Sequence, residues 1–524
     1  MADNKKIVAA TMVMASATSL SRIAGLVRDI VVARLFGAGL MTDAFFMAFT
    51  IPNLLRRFFG EGSLTAAFVP TFSEVFHQRG EKEAQQLANR CVSLLLLIML
   101  IVVSLGVLLS PWIVQGIGYG FGQVAGKLQL TNQLNQIMFP YIGLVSMLAL
   151  LTGILNVRGH FFVPSLSPLF LNLAMILSAL TMGHLFAQPI YALAVGVLLG
   201  GMVQLLIQFP VLCRYKIHLR LDFNFLGDAH LRKIMTLMLP GIAGVAIYQI
   251  NIIVTRLLAS FLPEGSVSYL YYGQRLFEFP QGIFIVSLAQ AALPMMSRQA
   301  SEEDHVGLQQ SLTFALTLIT LFTLPAIIGL IICAKPIYSL FFLGGEFDLI
   351  ALENTAIALI CYAPGLIFVG YSRIAAQTFY ALKDTKTPVV ISFWTLLVNL
   401  ILGLFLMQYY GFIGLAIALT IASMFNAFML LMLLQRKVGR FFQKALYKPV
   451  LKVLPGCLLM ALAVTFLLNT IDWLQVGSVL NKSLILSSSI FVGALIYLGC
   501  CYLFRVDEVR QGWQLLRRKG RSPL

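Results

Sequence analysis

The chain has 524 residues, 59% hydrophobic and 11% charged, with a mean hydropathy of +0.88. That balance is too apolar for a soluble globular protein and defines a polytopic membrane protein. A formal net charge of +16 would suit a nucleic-acid partner in a soluble chain, so what it means depends on where the cations sit.

The start, MADNKKIVAATMVMASATSL, sets Lys5 and Lys6 before an apolar run with the small residues Ala15 and Ala17 beyond it, the order of a secretory leader. The apolar register continues through Ile30 to Val32, where cleavage would cut a helix in half, so the segment reads as the first span. Runs of about 20 apolar residues, each enough for a hydrocarbon core of roughly 30 Å, follow along the whole chain. Their centres lie near Ala15, Phe49, Ile98, Leu144, Asn172, Leu198, Ala246, Phe284, Leu318, Gly365, Leu397, Ala418, Leu459 and Val492, which makes fourteen. The ten-residue alternation of an outer-membrane barrel is missing, so the expected fold is all-α.

With the N-terminus inside, the segments on that side hold 26 lysines and arginines, and the opposite side holds only Arg34, Lys127, Lys335 and Lys482. This is the positive-inside signature: both termini are expected in the cytoplasm, and the basic balance reports topology, not a nucleic-acid partner. The other seven, Arg22, Arg28, Arg56, Arg57, Arg256, Arg275 and Arg373, fall within spans or near their ends. The seven cysteines form no C-x-x-C pair and the six histidines show no ligand spacing, so no metal or cofactor is expected. Neither a phosphate loop of the G-x-x-x-x-G-K-[ST] type nor a Ser/His/Asp grouping occurs, so the chain reads as no enzyme and as no ATPase. A membrane potential, worth about 2.3 kcal/mol per charge per 100 mV, or an ion gradient is a sufficient energy source.

Three proline pairs, Pro70 and Pro294, Pro140 and Pro364, Pro164 and Pro388, are each 224 residues apart in matching surroundings. Six spans separate equivalent points, so the copies share one orientation and form the parallel repeat of a transporter, with the substrate path between halves. The expected organisation is an N-lobe of helices 1–6 (residues 1–213), a basic linker (214–233) lying partly on the membrane surface, a C-lobe of helices 7–12 (234–440), and helices 13–14 with a basic tail (441–524).

Helix 1 enters near Ile7, which places Arg22 roughly 22 Å along it. Arg22 and Asp29 are seven apart and share a face, while Arg28 is rotated about 120° from Arg22. Gly25 lies between the arginines, and a bend there would turn both to one cavity. In helix 2, IPNLLRRFFGEG carries Arg56, Arg57 and Glu61 after the kink residue Pro52; in the second lobe, YYGQRLFEFP places Arg275 and Glu278 just before Pro280. Arg256 either joins them or snorkels outward. Local pairing of Arg28 with Asp29, Arg57 with Glu61 and Arg275 with Glu278 is the structural alternative. Only Asp29, Asp43, Glu61 and Glu278 accompany these cations, so positive charge is in surplus. A water-filled cavity with surplus guanidinium groups suits an anionic substrate, phosphate above all.

The blocks SRIAGLVRDIVVARLFGAG, TDAFFMAFTIPNLLRRFFGEGSLTAAFVP, YYGQRLFEFPQGIF and YALKDTKTPV closely resemble the MurJ/MviN lipid II flippases of bacteria, of the multidrug/oligosaccharidyl-lipid/polysaccharide exporter superfamily. The resemblance implies fourteen helices in a V-shaped pair of lobes in the bacterial inner membrane. It implies a monomer that carries undecaprenyl-diphosphate-linked disaccharide-pentapeptide to the outer leaflet by alternating access, with a lipid-tail groove near helices 13 and 14. Its implied partners are lipid II, membrane lipids and the cell-wall synthesis machinery. By the same resemblance Arg22, Arg28, Arg56 and Arg275 contact the diphosphate or gate around it, Asp43 and Glu61 support them and Ser21 lines the cavity; Asp29, Arg57, Arg256 and Glu278 are further candidates. Gln274 stands where such proteins often carry an acid, and helices 7 and 11 offer only groups such as Asn251, Thr255 and Asn399, so the coupling ion stays open. The competing classes are an exporter of another polyprenyl-linked oligosaccharide, a cation-coupled drug exporter, whose cavity should be acidic, an intramembrane enzyme, which should show clustered aspartates or a catalytic histidine, and a non-transporting scaffold. Of the shorter motifs, KDTKTP is expected to be a turn with Asp384 or Thr385 capping helix 11, and GVLLG at Gly196 to Gly200 a close helix contact.

Overall fold

In a hydrocarbon core each backbone amide must find its partner within its own segment, which for this sequence means helices. The computed structural model describes residues 2–59, 63–225, 227–439, 444–475, 477–504 and 506, and side chains outside 2–13, 15, 55, 57–59, 63, 65–66, 239–248 and 444–450. Glu61 and the Arg57 side chain lie outside the described residues. Among those described there is no strand, only an isolated bridge between Gly344 and Phe347.

Packing divides the chain into two units, Met1–Ser268 and Tyr269–Leu524. The first contains α1 (Ala2–Phe36), α2 (Leu40–Phe59), α3 (Ser63–Arg79), α4 (Glu81–Leu108), α5 (Ser110–Ile117), α6 (Lys127–Met138), α7 (Tyr141–Val157), α8 (Phe162–Met182), α9 (Ile190–Leu206), α10 (Phe209–Arg214) and α11 (Ala229–Ser260). After α12 (Ser266–Pro280), which begins at the boundary, the second contains α13 (Val286–Ser301), α14 (His305–Phe341), α15 (Leu349–Tyr362), α16 (Gly365–Ala381), α17 (Lys386–Tyr410), α18 (Phe412–Val438), α19 (Lys444–Leu468) and α20 (Val479–Leu503). Thirteen of the fourteen expected centres sit on these helices, and Phe284 sits on a π-helical turn, Gln281–Ile285, between α12 and α13. Among the described residues, ten segments are long and apolar enough to cross a membrane by themselves, or eleven if the pair α15–α16, bent by 42°, is one span. The expected centres on α1, α2 and α11 are outside that number.

The proline repeat is written into the backbone. Helices α7 and α16 begin and end 224 residues apart, with Pro140 and Pro364 at their N-caps. Their C-termini close alike: the His160 and Asp384 amides donate to Leu155 O and Phe379 O, both at 2.9 Å, and the Gly159 and Lys383 amides donate to Asn156 O and Tyr380 O, both at 3.0 Å. This doubly bonded cap needs a left-handed residue. Gly159 fills the place at φ 79° and Lys383 at φ 59°.

Helix α11, first in the C-lobe by the repeat, belongs by packing to the first unit. Asp228 caps it and is held by Arg90 Nη1 of α4 at 2.6 Å, and Lys233 bonds Glu74 of α3 at 2.7 Å. The packing boundary therefore falls later than the linker 214–233. GVLLG is a helix contact: a Cβ on Gly196 would lie 3.0 Å from Met175 Cα, and one on Gly200 3.0 Å from Leu171 Cα, so glycine lets α9 meet α8. In the second unit α19 and α20 pack on α14 through Val453, Cys457 and Met460, and the Tyr497 hydroxyl donates to Leu321 O at 2.6 Å.

In KDTKTP it is the Asp384 side chain that caps α17, accepting from the Lys386 amide at 3.1 Å and the Thr387 amide at 3.0 Å; Thr385 occupies the cap position without a side-chain bond. Burial alone would raise the pKa of Asp384, but hydrogen bonds from Lys437 Nζ, the Thr387 hydroxyl and the Thr387 amide outweigh it and hold the carboxyl well below the usual range. The folded-state value is thus below the unfolded one of about 3.9, so the stabilisation is present above that pH and is lost as pH falls beneath it. Asp384→Asn is expected to remove about 1–2 kcal/mol at neutral pH. In a pH series of thermal unfolding, the variant should lose less stability than the wild type on acidification below about pH 4.

Candidate functional site

Ser21 and Arg28 are seven residues apart on α1 and so lie on one face, and that face is packed on α8. Arg28 is 7% exposed. Its Nε and Nη2 donate to Asp29 Oδ1 at 3.0 and 2.6 Å, and its Nη1 donates to Asn172 Oδ1 at 3.0 Å. Asn172 Nδ2 in turn donates to Ser21 O at 3.2 Å. The polar groups of this stretch therefore satisfy one another inside the first unit, as low dielectric requires of buried charge.

Helix α1 runs through Gly25, which is buried, and shows no break at the glycine. The glycine is part of a packed face, and Arg28 turns into its own unit. Arg22 is exposed, with no hydrogen-bond or ion-pair partner among the described residues. The face expected to join Arg22 and Asp29 is open at the first and closed at the second, where Asp29 is 2% exposed.

The other candidates are more local. Arg56 Nε donates to Asn53 Oδ1 at 3.1 Å, one turn back on α2. Arg275 Nη1 and Glu278 Oε2 pair at 3.2 Å across one turn of α12, both about a third exposed. Arg256 Nη1 donates to Val267 O at 3.1 Å, tying α11 to the turn that enters α12.

Asp43 accepts four hydrogen bonds. At 1% exposure its Oδ2 accepts from Lys127 Nζ and from the Gly265 amide, each at 2.8 Å, and its Oδ1 accepts from the Ser268 amide at 2.9 Å and the Ser268 hydroxyl at 2.7 Å. Lys127, 2% exposed, also lies 4.2 Å over the Phe121 ring. The arrangement is reciprocal. Asp43, in the first turn of α2, binds amides where α12 begins; Glu264, just before α12, binds the Leu40 amide where α2 begins, at 2.6 Å. Each acid satisfies orphan amides and the positive dipole end of the other helix. Gly120 brings a third segment close, since a Cβ there would lie 2.4 Å from Ser260 O.

Lys127 and Asn172 were not among the sequence candidates, although both left a trace. Lys127 is one of four cations on the side that the positive-inside bias leaves almost bare. Lys482, another of the four, is equally buried and donates to Ser339 Oγ at 2.8 Å, Trp473 O at 3.0 Å and Gln475 O. Both buried lysines of that side are held by local bonds. Asn172 is the amide at the centre of an otherwise apolar span.

Long apolar helices, with a helix and both its caps repeated at a fixed 224-residue offset, define a membrane transporter built from an internal repeat. The fold agrees: an inward-facing multidrug resistance MATE family transporter of the MOP superfamily superposes with a TM-score of 0.68 over 82% of this chain and 98% of that one, at 14% identity, which is a likeness of fold. A solved structure of the lipid II flippase MurJ in an inward closed conformation matches 95% of this chain and 99% of its own, with a TM-score of 0.78 and 28% identity. The family model described as lipid II flippase MurJ matches residues 32–484. A probable lipid II flippase MurJ of Vibrio cholerae is 37% identical over 431 residues, 81% of this chain and 82% of the relative. The chain belongs to the MurJ family.

Proposed function

We propose that the protein is a lipid II flippase of the bacterial inner membrane, moving the diphosphate-linked precursor to the outer leaflet by alternating access. The family match over residues 32–484 carries this reading. Both termini face the cytoplasm, which the distribution of lysine and arginine supports. Arg22 meets the substrate diphosphate, with Arg56 and Arg275 as further cationic contacts. Arg28, locked to Asp29 and Asn172, holds α1 on α8 so that Arg22 keeps its position. The Asp43, Lys127 and Glu264 bonds fasten the start of α2 to the start of α6 and to the residues that enter α12. The membrane potential or an ion gradient drives the cycle, because a diphosphate crossing with its cations moves net charge through the field. The test is genetic and chemical: the wild-type chain should restore growth and outer-leaflet lipid II to a strain depleted of its flippase. Failure of a well-expressed chain to do so overturns the proposal.

A further inference from the structure

Where α10 ends, Arg214, Lys216, His218 and Arg220 occupy alternate positions and are all exposed, while Ile217 between them is buried and Tyr215 and Leu219 are partly so. This strip is built, not loose. Gln85 Nε2 of α4 donates to His218 O at 2.7 Å, the Arg220 amide donates to Asn89 Oδ1 at 3.1 Å, and the Asp222 amide donates to Ser93 Oγ at 2.7 Å. Four helical residues rise about 6.0 Å and two extended residues about 6.6 Å, so a side-chain ladder at every fourth residue of α4 stays in step with every second residue of the strip. The neighbouring acids are already engaged: Arg90 holds Asp222 at 3.1 Å and Asp228 at 2.6 Å. Lys216 has φ 55°, a conformation that glycine adopts more readily. Beside the cations opens a cleft of about 320 Å³ lined by Phe209, Leu212, Cys213, Ile217, His218 and Arg220, and Leu206, Leu221 and Phe223, which flank this segment in the chain, are exposed.

A row of exposed cations with exposed apolar side chains in the same segment, at the end of membrane helices, has the chemistry of an anionic phospholipid: phosphate for the guanidinium and ammonium groups, acyl chain for the leucines and phenylalanines. We propose that residues 214–223 form a binding surface for anionic phospholipid of the inner leaflet, an assignment that rests on the orientation given above and is independent of the flippase substrate. A soluble acidic protein would leave Leu221 and Phe223 without a role, which favours the lipid.

The test uses the full chain in phosphatidylcholine nanodiscs, titrated with phosphatidylglycerol, with retained lipid counted by native mass spectrometry. Replacing the four groups together (Arg214→Gln, Lys216→Gln, His218→Gln, Arg220→Gln) should lower phosphatidylglycerol retention about tenfold or more and leave phosphatidylcholine unchanged. Lys216→Gly separates binding from folding: its unfolding temperature should be equal or higher while phosphatidylglycerol retention falls. Equal phosphatidylglycerol retention by wild type and the quadruple variant overturns the proposal, as does an equal fall for both lipids. Displacement of the lipid by soluble glycerophosphoglycerol at the same concentration would show a soluble-anion site and overturn it too.

Discussion

Asp43→Ala is expected to lower the unfolding free energy of the first unit by about 3–5 kcal/mol, the range for removing one partner of a buried ion pair. The substitution leaves the Lys127 ammonium, 2% exposed, with no counter-charge at its Nζ and strips the Gly265 and Ser268 amides of their acceptor. Each orphaned amide carries a penalty of about 1–3 kcal/mol if water cannot reach it. Lys127→Met is expected to be the milder change, at about 2 kcal/mol or less, because Asp43 keeps the Gly265 amide and both Ser268 donors. Denaturant or thermal unfolding of the purified protein orders the two. If Lys127→Met were the more damaging, the carboxylate would be serving chiefly as a counter-ion and not as an acceptor for the turn into α12. A double variant, Asp43→Leu with Lys127→Met, should be more stable than Asp43→Ala alone, since it removes the unpaired buried charge while leaving the amides open.

Those residues also show how far one sequence can be read. Helix positions followed from apolar length, and the repeat from the spacing of prolines, because both are local or strictly periodic signals; helix ends and backbone caps recur at the predicted 224-residue offset. What a face packs against is a long-range matter, and there the reading was weaker. Asp43 was visible as a polar residue near the start of a span, yet its partners lie 84 residues away at Lys127 and 225 residues away at Ser268. Counting Lys127 as an ordinary outer-loop cation concealed its burial. Gly25 illustrates the ambiguity of glycine: the lack of a Cβ lowers the cost of a bend and equally permits close packing, and α1 realises the second. For α11, repeat equivalence and packing part company because Arg90, Glu74 and Asp228 fix its start to the first unit.

The arginines of α1 can be separated by experiment because the fold gives them different surroundings. Arg22 is exposed and makes no described bond, so Arg22→Ala should change stability by no more than about 0.5 kcal/mol. If its guanidinium meets a phosphate, the loss of a charge-assisted bond worth about 1.5–3 kcal/mol lowers lipid II export roughly tenfold to a hundredfold. Arg28→Ala is expected to lower both quantities. It takes the Arg28 guanidinium from the buried Asp29 carboxylate and from the Asn172 side-chain oxygen, which is again a loss of about 3–5 kcal/mol. Arg28→Lys should fall between them, since an ammonium keeps the charge but cannot reach Asp29 and Asn172 with the two arms of a planar fork. The measurements are unfolding of the purified variants and the outer-leaflet lipid II of depleted cells restored with each. A stable Arg22→Ala protein that exports normally would remove Arg22 from the substrate path. An Arg22→Ala protein as unstable as Arg28→Ala would make both arginines part of the α1–α8 packing and move the search for the diphosphate site to Arg56 and Arg275.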